Sequence, residues 1–220
     1  MHKTLFVRAL LVLTAGAPAA WAQQSRVGLK AGGTLSGFSG PDANPGGSNR
    51  AGLCAGVVLH LPVSQVFAVQ PEFLYVQKGA TAQPFAIGSS ATVKGSQRLH
   101  YLEIPVLVKV RSRGGFFGEL GPTLGYVLSA SATFPNLSQQ VVTIDNRGLF
   151  KAFDWGYAVG VGFQTDKGLL LGVRYNEGFS ALATAGAYRG ISGEARIHNQ
   201  AFQLYAGYIF FGRPAAEFPE

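Results

Sequence analysis

The 220-residue sequence predicts an all-β protein: an eight-stranded antiparallel up-and-down transmembrane β-barrel that follows an N-terminal signal peptide. Three observations carry this reading. Apolar residues alternate with small or polar ones at period two in about eight segments, as strands require and helices would scramble. No apolar run reaches the roughly 20 residues of a spanning helix. The connections between the segments run long, short, long, short, long, short, long, as in a barrel with one rim of tight turns and one of large loops.

The first 22 residues read as a leader. Lys3 and Arg8 flank the start of a short apolar run, Ala9 to Gly16, and Ala20-Trp21-Ala22 sets small residues where a signal peptidase cuts. Export with cleavage after Ala22 is expected, leaving a barrel over 23–212 and a short tail over 213–220. The composition is 47% hydrophobic and only 13% charged, with 30 glycines, whereas soluble domains carry about 25% charged residues. Loss of Lys3 and Arg8 takes the formal charge from +7 to +5. Without a Lys/Arg run this excludes nucleic acid as a natural partner and favours anionic lipid head groups. Cys54 is the sole cysteine, so no intrachain disulfide forms.

In order, Val27, Leu29, Ala31, Gly33 and Leu35 share one face of a first strand, with Arg26, Gly28, Lys30, Gly32 and Thr34 opposite. Gly37 to Asn49 is Gly/Pro/Asn/Asp loop chemistry. Leu53 to Leu61 alternate in a second strand. After the break at Pro62 to Gln65, Phe67, Val69, Pro71, Phe73 and Tyr75 oppose Gln70, Glu72 and Lys78 in a third. The polar stretch Ala80 to Gln97 is expected to be loop. YLEIPVLVKVR, Tyr101 to Arg111, sorts most cleanly, with Leu102, Ile104, Val106, Val108 and Val110 on one side and Tyr101, Glu103, Pro105, Leu107, Lys109 and Arg111 on the other. Beyond a turn at Ser112 to Gly115, Phe116 to Leu128 forms a fifth strand. Ser131 to Phe153 is expected to be irregular. Trp155 to Phe163, Leu169 to Tyr175 and Phe202 to Phe210 supply the last three strands, the first two joined by Thr165-Asp166-Lys167-Gly168.

The aliphatic face is expected to meet lipid. Its opposite is rich in glycine (Gly28, Gly32, Gly56, Gly121, Gly160, Gly172), which suits the narrow interior of an eight-stranded barrel and has no purpose on a wetted surface. Aromatics gather at strand ends. Phe67, Phe116, Phe163, Tyr208 and Phe210 lie near the short turns, and Tyr75, Tyr126, Trp155, Tyr157, Tyr175 and Phe202 near the long loops, as two interfacial girdles would.

Six segments, PEFLYVQKGA (Pro71 to Ala80), YLEIPVLVKV (Tyr101 to Val110), GPTLGYVL (Gly121 to Leu128), DWGYAVGVGF (Asp154 to Phe163), VRYNEGFS (Val173 to Ser180) and LYAGYIF (Leu204 to Phe210), resemble the PorT-like, porin-family outer-membrane β-barrel domain. The resemblance covers nearly the whole mature chain. It implies location in the cell outer membrane and an eight-stranded barrel, and it carries no catalytic residues to transfer. The tail Arg213 to Glu220 departs from the family pattern, in which the last strand commonly ends on its terminal aromatic.

Charges on the small-residue face point inward and need partners. A structural lumen network is expected in which Lys30, Lys109 and Arg174 bridge Glu72, Glu103 and Glu119. His60, His100 and His198 lack a Gly-Xaa-Ser-Xaa-Gly elbow or HExxH pair, so they read as surface or packing residues, with no catalytic, cofactor or metal site. The function expected is that of a structural, adhesive or accessory membrane component with a plugged, charge-lined lumen and specificity in its outer loops. The partners expected are outer-membrane lipid, lipopolysaccharide and a protein at those loops. A narrow porin or transporter is the alternative, with a soluble ligand-binding barrel or an outer-membrane lipid hydrolase behind it. Pro71, Pro105 and Pro122, at similar heights on neighbouring strands, predict one shared irregularity such as bulges.

Overall fold

The computed structural model describes residues 25–87, 91–136, 138–182 and 196–210. The expected leader over 1–22 and the tail over 213–220 lie outside the described residues. The strands are β1 (Arg26–Ser39), β2 (Ser48–Pro62), β3 (Phe67–Ile87), β4 (Ala91–Arg111), β5 (Phe116–Pro135), β6 (Val141–Asp145), β7 (Phe153–Gln164), β8 (Leu169–Gly178) and β9 (His198–Ile209). Eight close into a ring of neighbours in chain order, β1 pairing with β9 and β4 with β5, all antiparallel. The short β6 lies outside the ring and pairs with the far end of β5.

Closure leaves no strand edge in the wall, so the backbone groups of each strand pair with a neighbour on either side, the condition for crossing hydrocarbon. The registers match across the seam: Ala31 of β1 sits opposite Ala55 of β2 and Ala206 of β9. Tight turns close two of the hairpins. Gly115 and Gly168 adopt φ of +90° and +92°, and each donates its N–H to a carbonyl three residues back, Ser112 and Thr165. This is a turn followed by a left-handed residue, a position glycine occupies without steric cost.

The alternation maps onto the wall as the sequence predicts. In β8 exposure and burial alternate from Leu169 to Arg174, and in β4 from Tyr101 to Lys109. Outward leucines are largely bare, Leu120 at 58% and Leu204 at 67% exposure. Exposing such side chains to water would cost about 1.5–3 kcal/mol each, so the band fits hydrocarbon. Rings cluster along both rims, Phe116 against Phe163 and Tyr208 against Phe210 at one, and Tyr126–Phe153, Trp155–Phe179 and Tyr175–Phe202 at the other. The core is therefore the lumen.

Two stretches expected as loop are strand. Ala80 to Gln97 belongs largely to β3 and β4, which run as a long hairpin to the pair Ile87–Ala91. Ser131 to Phe153 holds the end of β5 and all of β6. Strands that rise past the membrane meet water on both faces, so the period-two contrast used to find them vanishes there. Phe85 and Phe134 stack across these hairpins, centroids 5.0 Å apart.

The proline expectation also needs correction. Pro71 pairs with Val106, Pro105 with Thr123 and Pro122 with Tyr157, and the register is the same on both sides of each. The register shifts lie elsewhere, between Asn49 and Cys54, Ala80 and Gln83, and His100 and Tyr101. A proline removes one donor from the ladder without inserting a residue, so pairing lapses locally and then resumes in step.

Candidate functional site

Inward residues of five strands converge at one level of the lumen. Around the ring, β3 stands diametrically opposite β8, and β1 opposite β5. Arg174 of β8 crosses that diameter. Its Nη1 and Nη2 donate to Oε2 and Oε1 of Glu72 on β3 at 2.7 and 2.9 Å, and its Nε donates to Oε1 of Glu119 on β5 at 2.7 Å. Lys30 of β1 donates to Glu72 Oε2 at 2.9 Å, with its ammonium 3.8 Å above the Tyr205 ring. Glu72 and Lys30 are fully enclosed, at 0% and 2% exposure, and Arg174 is at 1%.

Polar neighbours complete the knot. Gln70 donates to Glu72 Oε1 at 2.8 Å, and the Tyr205 hydroxyl donates to Glu119 Oε1 at 2.8 Å. The Arg174 fork on one carboxylate is the strongest geometry available to such a pair. Glycines make the space. A Cβ at Gly172 would lie 2.5 Å from the Tyr205 oxygen, and one at Gly160 would lie 2.8 Å from Glu119 Oε1.

The structure thus joins Lys30, Glu72, Glu119 and Arg174, and it sets the other two expected members apart. Lys109 donates to the Gln70 side-chain oxygen Oε1 at 3.4 Å and lies 3.6 Å above the Phe117 ring, with no carboxylate in contact among the described residues. Glu103 pairs with Lys78, nearer the long-loop end. Pattern reading placed Gln70 and Lys78 on the inward face but left them, Tyr205 and Phe117 out of the network. Their inward parity was available, since Gln70 stands two residues before Glu72 and Tyr205 sits between outward Leu204 and Ala206.

Above the knot the lumen turns apolar. Cys54, Leu74, Val76, Leu99, Tyr101, Val127 and Ala130 are buried together, and Phe150, Leu182 and Ile197 close over them from the loops. Leu182 is held by backbone bonds to Lys151 and Ile197 of 3.0 and 2.8 Å. Polar cavities flank the filled middle. One of about 420 Å³ at the long-loop end is lined by Phe38, Asn44, Asn49, Gln83 and Gln200. One of about 220 Å³ at the short-turn end is lined by Arg26, His60, Lys109 and Arg111.

The three histidines stand apart. His60 lines the short-turn cavity, and His100 meets the Tyr75 hydroxyl on the outer wall. His198 Nδ1 lies 3.1 Å from the Ser180 carbonyl oxygen, while the Ser180 hydroxyl accepts the Trp155 N–H at 3.2 Å. That hydroxyl also bonds the Asp154 carboxylate, and among the described residues no histidine nitrogen contacts it, the pairing a Ser–His nucleophile needs. Among the described residues no group of three His, Cys, Asp or Glu could hold a metal ion.

The family model described as outer membrane protein beta-barrel domain matches residues 21–183. Among solved structures, neisserial surface protein A (NspA) is similar at a TM-score of 0.51 and 10% identity, covering 84% of this chain and 97% of its own. Ail, the attachment invasion locus protein of Yersinia pestis, is similar at 0.47 and 15%, covering 85% and 99%. OprG of Pseudomonas aeruginosa is similar at 0.40 and 13%, covering 86% and 98%. No curated protein matches the chain.

Proposed function

The chain belongs to the outer membrane protein beta-barrel domain family, resides in the outer membrane, and from that premise we propose that it is a non-enzymatic structural, adhesive or accessory component whose lumen is plugged. The observation that carries the plug is the brace from Arg174 to Glu72, which joins opposite walls at full burial, with the apolar layer of Leu74, Leu99 and Tyr101 stacked above it. Opening a path would strip two carboxylates of their partners, at a cost of several kcal/mol. Planar-bilayer recording tests it. Purified protein is expected to give no steady openings, and sustained large conductance would sink the plugged reading in favour of the narrow porin, which the cavities at both mouths favour.

Specificity then resides beyond the membrane, where the β3–β4 and β5–β6 hairpins and the long loops present polar surface, with a protein as the expected partner there. The finer likeness to PorT-like members is part of this proposal and rests on the six segments quoted above. The absence of catalysis rests on the separation of His60, His100 and His198. Replacing His100 and His198 by alanine is expected to leave lipid A structure unchanged when the membranes are analysed by mass spectrometry.

A further inference from the structure

The outward face of β4 changes chemistry along its length. Val110, Val108, Val106, Ile104 and Leu102 form the lipid-facing row, and the next residues on that face are His100, Arg98, Ser96 and Lys94. The burial alternation runs unbroken from Gln97 to Val110, so the basic residues continue the aliphatic row beyond the girdle. Leu102 pairs with Tyr75 of the girdle, and Arg98 pairs with Gly79. Four residues at about 3.3 Å each put Arg98 about 13 Å along the strand from that level. With barrel tilt this is roughly 10 Å in height, and His100 is about halfway. The interfacial layer is about 5–8 Å deep on each side.

A second strand delivers another cation to the same spot. Arg50 of β2 passes over β3 and donates to the Ser96 hydroxyl at 2.6 Å. Its path runs over Gly79, where a Cβ would lie 3.2 Å from Arg50 Cδ and where φ of +139° suits glycine. Among the described residues no carboxylate lies within ion-pair distance of Arg50, Lys94 or Arg98. Arg50, Arg98 and His100 therefore converge, with no counter-charge among the described residues, at the outer edge of the head-group layer, within reach of their long side chains. The long-loop rim is the outer one by the general orientation of such barrels.

We propose that Arg50, Arg98 and His100 form a binding site for the phosphate groups of the outer-leaflet glycolipid, lipopolysaccharide, with Tyr75 and the aliphatic row of β4 seating its acyl chains. Guanidinium forks match phosphate oxygens, and the adjoining Ser96 hydroxyl adds a further donor. The site needs the outer-membrane location and is independent of the plugged lumen, so conductance and lipid retention can fail separately.

The test is native mass spectrometry of the full barrel in detergent, titrated with diphosphorylated lipid A, dephosphorylated lipid A or phosphatidylglycerol. Wild type is expected to retain the diphosphorylated lipid preferentially. Arg50→Gln/Arg98→Gln is expected to weaken that retention by about tenfold or more, as loss of two charge-assisted contacts implies. Arg98→Gln alone, at an exposed position, serves if the double variant fails to give heat-modifiable, folded protein. Arg113→Gln, on a short turn, is expected to leave retention at wild-type level. Equal retention of both forms of lipid A, unchanged retention by both variants, or equal retention of phosphatidylglycerol would each overturn the site.

Discussion

Arg174 holds three carboxylate oxygens with three nitrogens at the centre of the lumen. Its removal leaves Glu72 and Glu119 enclosed with too few partners, so Arg174→Ala is expected to destabilise the barrel by about 3–5 kcal/mol. Urea unfolding in lipid vesicles, followed by the loss of heat-modifiable migration, measures this. Lys109→Met is expected to cost less than half as much, because the Lys109 ammonium meets only an amide oxygen and a ring. The glycine opposite Tyr205 makes a coupled prediction. Gly172→Ala pushes against the Tyr205 ring and should cost about 1–3 kcal/mol. In a Tyr205→Ala background that cost should largely disappear, which a double-mutant cycle reads directly.

At the scale of the element, each strand divides into a part inside the membrane and a part beyond it. β3 and β4 pair for many residues past the girdle, and the register shift between Ala80 and Gln83 marks the upper portion as a separate ladder. Replacing the hairpin beyond Ala80 and Gln97 with a two-residue turn is expected to preserve folding and heat-modifiable migration, since of the pairings to the flanking strands only Ser48–Thr81 and Ser96–Thr133 are lost. A change at mid-strand acts differently. Val159 of β7 lies outward, midway between Trp155 and Phe163 of the two girdles. Val159→Arg should cost about 2–4 kcal/mol in vesicle refolding, the penalty for a cation at the bilayer midplane.

For the whole molecule, the alternation, the two aromatic girdles and the glycine-rich face were enough to read an eight-stranded ring and the direction of every wall residue in Tyr101 to Arg111. These features are local. Side-chain parity follows from the pleat, and each strand declares its faces without reference to its neighbours. The inward parity of Lys30, Glu72, Glu103, Lys109, Glu119 and Arg174 was legible on the same grounds. Which of them meet was not, because contact across a lumen depends on ring order and on the height of each strand. Only closure put β8 opposite β3 and so brought Arg174 to Glu72, 102 residues away, while leaving Glu103 to Lys78. The upper hairpins escaped detection because strands wetted on both faces carry no period-two signal. The prolines escaped because a missing donor interrupts a ladder without shifting its register. Sequence alone determined the all-β class and which side of each wall strand faces lipid, since both follow from the pleat. Tertiary structure decided the partners of the buried charges and the length of the outer strands, since both depend on residues distant in the chain.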